Sequence, residues 1–190
     1  VREFSGSVWF QKIAPVAISY IRFWDYMASH RVDQYLTLSK YVSKRIQKYY
    51  NRPSSVLYPP VDVDRFSPSE TKGEYYLIIS RLVPYKKIEL AIAATELLGK
   101  KLKIAGIGPE LDTLKSIAGS HTEFLGFVPD SDLPELYRNA KALIFPQEED
   151  FGITPLEAAA SGVPTIAYGA GGALETIVDG VTGIFFTQQA

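Results

Sequence analysis

The sequence predicts an α/β fold built on a parallel, doubly wound sheet. From residue 74 onwards, short strand-like segments alternate with helix-like segments, and the connections between them are brief. The strand-like segments are mostly apolar throughout instead of alternating with polar residues, which is typical of strands covered on both faces. Strands that alternate with helices in this way pair in parallel, so we expect helices on both faces of one sheet.

The N-terminal part, residues 1–58, is aromatic and mixed in charge. Apolar side chains at spacings of three and four predict an amphipathic helix over residues 20–29. Short strands are predicted at 33–38 and 55–58, with a Lys- and Arg-rich helix between them that Ser39 caps. We expect this part to be the tail end of a preceding N-terminal domain and its approach to a linker.

The remaining sequence divides into a linker, residues 59–73, and one domain, residues 74–190. The linker is rich in Pro, Ser and Asp, and its two prolines at 59 and 60 favour an extended turn. A helix would normally cover the last strand, so we expect the domain to be truncated at its C-terminus. The predicted strands are 75–80, 102–105, 122–126, 142–145, 165–167 and 183–186, and the predicted helices are 88–98, 110–118, 132–139, 155–161 and 173–178.

Composition excludes several classes of function. Twenty basic and 21 acidic residues leave a net charge of −1, so there is no electrostatic footprint for nucleic acid. The chain has no cysteine, which excludes disulfides, thiolate metal sites and a cysteine nucleophile. His30 and His121 lie far apart, so we expect no metal held by protein ligands. No apolar run approaches the roughly 18 residues that span a bilayer, and no signal-peptide pattern is present.

Ligands of doubly wound sheets bind at the carboxyl ends of the strands, so the loops after the strands are the place to search. The loop after the first strand carries Arg81, Lys86 and Lys87. Cations on a strand-to-helix turn are suited to a pyrophosphate, which they bind through charge-assisted hydrogen bonds. Taken alone, the segment favours a solvated basic turn over a pyrophosphate site.

The loop after the fourth strand is acidic and contains Glu149, and Glu157 follows eight residues later. Three consecutive acids at the end of a buried strand repel one another, which indicates a functional reason for their presence. Glu157 has a second interpretation, because Thr154 and Glu157 fit a helix capping box with Pro155 at the first helical position. A capping glutamate and a carboxylate that accepts hydrogen bonds from a ribose are compatible roles.

Two glycine-containing turns follow the second and fifth strands. Gly106 and Gly108 let the backbone approach a ligand closely, although a tight turn explains them equally well. Gly171 and Gly172 lead into a helix, whose free N–H groups and positive dipole end favour an anion. This turn is expected to face the basic turn across the same sheet edge.

Together these motifs resemble those of the GT-B glycosyltransferases, specifically glycosyltransferase family 4, over about residues 35–190. Within the family, the residues of the acidic loop and of the glycine turn resemble the corresponding residues of mannosyltransferases of the WbaZ type, which use GDP-mannose. A Lys at position 87 departs from the glycine that usually follows the basic turn. The motifs are Arg-Leu-x-x-x-Lys at Arg81, Leu82 and Lys86, Glu-x7-Glu at Glu149 and Glu157, and Gly-Gly-x-x-Glu at Gly171, Gly172 and Glu175.

The resemblance implies a Rossmann-like donor domain that takes part in retaining transfer of a sugar, mannose from GDP-mannose or another nucleotide sugar, to an acceptor hydroxyl. Arg81 and Lys86 would neutralise the leaving diphosphate without a metal ion, Glu149 would lie beside the donor sugar, and Glu157 would bind the ribose. No cofactor is implied. The catalytic residues implied are Glu149, Arg81 and Lys86, and the donor-binding residues are Gly108, Phe127, Val128, Phe151, Gly152, Ile153, Glu157, Gly171 and Gly172.

The resemblance also implies partners outside this sequence. The family takes most of its acceptor site and a histidine-type group near the anomeric centre from an N-terminal domain. We expect this sequence to include at most the final stretch of that domain, in residues 1–50, and we expect His30 to be structural. The acceptor is a saccharide or lipid-linked saccharide, in polysaccharide biosynthesis, and the location is cytoplasmic, with peripheral membrane attachment left open. We expect little or no transfer by the fragment alone. Two alternatives remain: a non-catalytic nucleotide-binding fragment and a GT-B nucleotide-sugar epimerase.

Overall fold

The computed structural model describes residues 8–69 and 73–189, with side chains from residue 13 onwards. The chain forms two compact units, residues 1–57 and 58–190. The division into a linker, residues 59–73, and a domain, residues 74–190, remains a prediction.

The first unit contains two helices and two short strands. Helix α1 spans Val8–Ser29 and extends beyond the segment predicted from the apolar spacing. Its elements then follow the expected order, and the Ser39 side chain accepts a hydrogen bond from the Val42 amide at 3.1 Å, as a cap should. None of the described helices is long and apolar enough to cross a membrane. The further elements are β1 (Tyr35–Thr37), α2 (Lys40–Tyr50) and β2 (Ser54–Val56), with β1 and β2 parallel.

The second unit alternates strands and helices as the sequence predicts. Short 3₁₀ turns at Val63–Arg65 and Pro84–Lys86 precede and follow its first strand. Its strands are β3 (Tyr75–Ile79), β4 (Leu102–Ala105), β5 (Thr122–Gly126), β6 (Ala140–Phe145), β7 (Thr165–Tyr168) and β8 (Gly183–Phe186), and its helices are α3 (Ile88–Leu97), α4 (Leu111–Ile117), α5 (Leu133–Arg138), α6 (Ile153–Ala160) and α7 (Ala173–Thr176).

The six strands form one parallel sheet in the order β5-β4-β3-β6-β7-β8. The chain first builds outwards from β3 to β5 and then returns to the other side of β3 with β6. This is the order of the doubly wound Rossmann sheet, and its direction reverses between β3 and β6. The predicted fold class is confirmed, and the loops after β3 and β6 leave the sheet side by side.

Core packing explains why the strands are apolar without alternation. Neighbouring side chains of a strand point to opposite faces, and Leu77 and Ile78 of β3 belong to two different core clusters. Both side chains are at most 2% exposed. Helix α5 covers one face with Tyr137, and α3 covers the other with Ile92. Because helices cover both faces of the sheet, a strand position needs an apolar residue whichever face its side chain points to.

Candidate functional site

The site predicted from the loops lies where the strand order reverses. The loop after β3 carries the basic residues, and the loop after β6 carries the acidic ones. Because β3 and β6 are neighbouring parallel strands, their carboxyl ends lie together at one edge of the sheet. This crevice is the usual ligand position in such folds.

The structure brings Lys86 and Glu149 into direct contact. Lys86 ends the 3₁₀ turn after β3, and its Nζ donates a hydrogen bond to Oε1 of Glu149. The side chains are 15% and 22% exposed, so the pair is largely shielded from solvent. Two residues that were predicted separately, from a basic turn and an acidic loop, thus form one charged pair.

The glycine turn after β7 packs directly against the Glu149 loop. The Gly172 amide donates to the Glu149 carbonyl oxygen at 2.7 Å. Gly171 adopts a φ of +65°, and a Cβ on it would lie 2.4 Å from the same oxygen. A Cβ on Gly172 would lie 2.3 Å from Cα of Phe151. The Gly172 amide is therefore engaged by the Glu149 carbonyl oxygen, and the anion-binding role expected of the amides of this turn stays a prediction.

An aromatic contact that the sequence did not predict joins the same two loops. The ring of Tyr58 stacks on that of Phe151, with centroids 5.7 Å apart, and its hydroxyl donates to Oε2 of Glu175 at 3.1 Å. Phe151 is buried within the acidic loop, and Glu175 lies on α7 after the glycine turn. The sequence predicted Tyr58 only as the last residue of a short strand leading into an extended turn, since a Tyr-Pro-Pro segment gives no signal of where its ring packs.

A cleft of about 610 Å³ opens at the carboxyl ends of β3, β4 and β5. Of the predicted site residues, it is lined by Arg81, Gly108, Phe127 and Val128. Phe127 is 72% exposed, which leaves its ring free to stack on a planar group. Asp130 also lines the cleft, and it is the only acid among the lining residues in the described part of the chain.

The backbone of Asp130 is held by a hydrogen bond from another side chain. Its carbonyl oxygen accepts a hydrogen bond from the Arg65 guanidinium at 2.6 Å. This contact leaves the carboxylate of Asp130 for another partner. The sequence carries no sign of this role for Asp130, because an Asp in a Pro-Asp-Ser-Asp segment before a helix is typical of a turn.

The glycines of the loop after β4 have a packing role. Gly106 has a φ of +145°, and a Cβ on it would lie 1.8 Å from the Ser80 carbonyl oxygen. A Cβ on Gly108 would lie 2.2 Å from the carbonyl oxygen of Leu82. Glycine is therefore required here by the packing of the neighbouring loop. Gly108 also lines the cleft, and its contact with a ligand stays a prediction.

Glu157 lies on α6 and is held by a buried tyrosine. The hydroxyl of Tyr137 donates to Oε2 of Glu157 at 2.7 Å, and the Tyr137 side chain is fully buried. Burial, and then the charge and hydrogen bond of Glu157, raise the pKa of Tyr137 well above its ordinary value. Within the described residues, no hydrogen bond or ion pair joins Glu157 to the Lys86–Glu149 pair.

The capping box predicted around Glu157 is not formed. Helix α6 begins at Ile153, one residue before Thr154, and its N-cap is Gly152 with a φ of +98°. Pro155 therefore lies inside the first turn, and Glu157 is too far along the helix to reach back to the cap. Gly152 and Ile153 are positioned by this start, and Ile153 is 44% exposed.

Lys87 shows why a glycine suits its position. It adopts a φ of +54°, in the left-handed region, and precedes the first residue of α3. Its Nζ lies 3.7 Å from Oε1 of Glu89, and both side chains are 42% exposed. Of the two roles considered for it, a phosphate contact or a solvent-facing charge, this pairing favours the second.

The two histidines lie in separate local environments. Nδ1 of His30 donates to the Tyr26 carbonyl oxygen at 2.9 Å, and Nδ1 of His121 lies 3.0 Å from Oε2 of Glu96. In residues 8–69 and 73–189, no group of three or more His, Asp or Glu side chains is arranged to hold a metal ion.

Comparison with known proteins follows the same division of the chain. Residues 62–190 match the family model described as glycosyl transferases group 1. A GDP-mannose-dependent α-(1-6)-phosphatidylinositol monomannoside mannosyltransferase of Mycolicibacterium smegmatis is 34% identical over 179 residues, 77% of this chain and 47% of the relative. The O-antigen chain mannosyltransferase RfbU of Salmonella typhimurium is 31% identical over 159 residues, 77% of this chain and 45% of the relative. This chain thus spans about half the length of these curated relatives.

Solved structures share the fold. HepE of Anabaena, in complex with UDP and glucose, superposes with a TM-score of 0.73 at 22% identity, over 82% of this chain and 50% of HepE. A sucrose-phosphate synthase of Thermosynechococcus elongatus superposes with a TM-score of 0.74 at 21% identity, over 84% of this chain and 46% of the synthase. At these identities the likeness concerns the fold alone.

Proposed function

This chain belongs to the glycosyl transferases group 1 family, with the GT-B fold, and we propose that it supplies the donor site for retaining transfer of mannose from GDP-mannose to an acceptor hydroxyl. The observation that carries the proposal is the pairing of Lys86 with Glu149 at the point where the strand order reverses. A cation and a carboxylate at this position match the needs of a donor with a diphosphate and a sugar. Membership of glycosyltransferase family 4 and the likeness to the WbaZ type remain part of the proposal.

The diphosphate is proposed to bind between Arg81 and Lys86. Both residues lie on the loop after β3, and Arg81 also lines the cleft. Two cations placed where the leaving diphosphate gains charge stabilise the transition state electrostatically. This arrangement supplies the role of a divalent metal, so we propose neither a metal nor another cofactor.

The base is proposed to occupy the cleft beside Phe127 and Asp130. An exposed aromatic ring offers a stacking face to any base, whereas a carboxylate selects among bases. Guanine presents two adjacent N–H donors, at N1 and N2, which one carboxylate accepts in a bidentate manner. Asp130 is therefore the feature that supports GDP over UDP, in agreement with the GDP-mannose named for the mycobacterial relative. Val128 and Gly108 border the same cleft.

Glu157 is proposed to bind the ribose. Tyr137 occupies one of its carboxylate oxygens at 2.7 Å, and a carboxylate has further lone pairs with which to accept from a diol. The buried tyrosine fixes the rotamer of Glu157, so the carboxylate is held in place before the nucleotide binds. Phe151, Gly152, Ile153 and the Gly171–Gly172 turn shape the donor side of the same loops.

The acceptor side is proposed to lie in the half of the relatives that this chain does not span. On that proposal the chain binds nucleotide but transfers little sugar alone, and its acceptor is a saccharide or a lipid-linked saccharide. A cytoplasmic location remains a prediction. Comparing transfer by residues 1–190 with transfer by a protein containing both halves tests this division of labour.

Calorimetry with GDP, UDP and ADP tests the donor site. We expect GDP to bind most tightly, and Arg81→Ala to weaken it by about 1.5–3 kcal/mol for each charge-assisted hydrogen bond lost. Since Arg81 is exposed, its removal should leave thermal unfolding without ligand unchanged. Absence of binding by all three nucleotides would remove the proposal.

A further inference from the structure

We propose that Glu149 makes the site favour the intact sugar donor over the nucleoside diphosphate left after transfer. The inference rests on the proposed function, because it concerns the same diphosphate site. It starts from the ion pair, in which Lys86 Nζ donates to Glu149 Oε1 and the side chains are 15% and 22% exposed. Solvent and salt screen a partly buried pair weakly, so each charge strongly affects what binds to the other.

The backbone of Glu149 is fixed beside Lys86. Its carbonyl oxygen accepts from the Gly172 amide at 2.7 Å, and the glycine turn lies so close that a Cβ on Gly171 would be 2.4 Å from that oxygen. On the other side of this contact, the ring of Phe151 is stacked on Tyr58. The loop is therefore tied at two points, and a ligand that reaches Lys86 displaces only the side chain of Glu149. Rotation about the side-chain bonds of Glu149 moves its carboxylate only a short way, so the carboxylate stays close to the bound phosphates.

The two ligands differ in what they present to this carboxylate. In a sugar nucleotide the second phosphate is linked both to the first phosphate and to the sugar, so it carries one charge, and the attached sugar offers hydroxyl donors. In a nucleoside diphosphate the terminal phosphate is linked only to the other phosphate, and it carries close to two charges at pH 7 because its second pKa is about 6. Repulsion from Glu149 is thus greater for the diphosphate, and no hydroxyl is present to offset it.

Glu149 also restores the empty site after the nucleoside diphosphate is released. Once the diphosphate has left, Glu149 pairs again with Lys86, so the empty site does not retain an unpaired, partly buried cation, which would be costly. Glu149 therefore acts on ligand choice through competition for Lys86, in addition to any contact with the sugar. Removing its charge should strengthen binding of the product, the opposite of what is expected on losing an ordinary binding residue.

The test compares GDP and GDP-mannose by calorimetry on the full chain, with the wild type, Glu149→Gln and Glu148→Gln. Glu148→Gln is the matched control, since it removes the same charge one residue away on an exposed side chain. We expect Glu149→Gln to bind GDP about tenfold more tightly, or about 1.4 kcal/mol. Its affinity for GDP-mannose should stay the same or fall, and the control should change neither affinity by more than about twofold.

Each other outcome is decisive. If the wild type binds GDP and Glu149→Gln binds it equally or more weakly, the inference is overturned while the proposed donor site stands. Equal tightening by both variants would mean a general charge effect and would also overturn it. If the wild type binds neither GDP, UDP nor ADP, the proposed function itself fails. Thermal unfolding without ligand verifies that each variant is folded, and Glu149→Ala is measured in parallel so that the result does not depend on one variant.

Discussion

The buried hydrogen bond between Tyr137 and Glu157 makes a sharp prediction for stability. Tyr137→Phe keeps the ring, which is fully buried, and removes only the hydroxyl that donates to Glu157 at 2.7 Å. Hydrogen bonds to charged groups contribute about 1.5–3 kcal/mol each. No cavity larger than one oxygen atom is created, so this contact dominates the effect. We expect the free energy of unfolding to fall by that amount.

Urea unfolding measures the loss directly, and thermal unfolding checks it. Globular proteins have an unfolding entropy of about 2.1 cal/mol/K per residue, so for residues 58–190 the loss corresponds to a Tm lower by roughly 5–11 °C. Tyr85→Phe is the control, since the side chain of Tyr85 is 59% exposed and such changes usually stay within about 0.5 kcal/mol. A double-mutant cycle with Glu157→Gln isolates the energy of the pair.

The same contact predicts a change at alkaline pH. Burial and the nearby carboxylate raise the pKa of Tyr137 in the folded chain, whereas an unfolded tyrosine has a pKa of about 10. The unfolded state therefore loses its proton first, and stability falls as the pH rises above about 10. Tyr137→Phe should show a shallower fall above that pH than the wild type. A loss below about 0.5 kcal/mol together with an unchanged alkaline slope would refute the role given to this hydrogen bond.

Four further predictions follow from single positions. Lys87→Gly should raise the free energy of unfolding by about 0.5–1 kcal/mol in urea, because a left-handed residue other than glycine costs roughly 1–2 kcal/mol and glycine's extra chain entropy offsets part of the gain; a destabilised variant would contradict this. Asp130→Asn should reduce the calorimetric preference for GDP over UDP by about 1–3 kcal/mol if Asp130 accepts from guanine, and an unchanged preference would exclude it. Tyr58→Ala should speed hydrogen exchange of the Gly172 amide, because the loop contact beside it is lost; unchanged protection would leave Tyr58 no part in holding the loops. Burial would raise the pKa of Glu96, but hydrogen bonds from His121, Thr122 and two backbone amides lower it overall. Its stabilisation is thus present above the unfolded pKa and lost as the pH falls through the folded one, so Glu96→Gln should flatten acid unfolding monitored by circular dichroism.

The fold followed from the sequence because its signals are local and strong. Apolar strands such as the one at 75–79 cannot be placed anywhere except inside a two-sided core, and Leu77 and Ile78 confirm this by packing on opposite faces. Element ends were less well predicted. Helix α6 begins at Ile153 because Gly152 takes a positive φ, and the sequence pattern alone instead favoured the Thr154 capping box.

Contacts between loops were the part that the sequence did not reveal. The motifs placed Lys86 and Glu149 at the same sheet edge, but their pairing depends on the reversal of strand order between β3 and β6. Tyr137 carried only the signal of a core aromatic, since nothing in its neighbourhood indicates that its hydroxyl meets Glu157. Such partners are separated in the chain by loops, and periodicity describes one element at a time.

The glycine turns show how backbone packing and ligand chemistry are divided at this sheet edge. Gly106 and Gly172 are required by protein neighbours, since a Cβ on either would lie within 2.3 Å of another loop's backbone. The amides of both are also taken, by the carbonyl oxygens of Gly126 and Glu149. The amides of these two glycines therefore hold the loops together and are not free to bind a ligand. A charged ligand must then be recognised mainly by side chains of the loops. Arg81 and Lys86 then have no substitute among these amides, so the affinity for a diphosphate should depend on those two cations more than on the glycine turns.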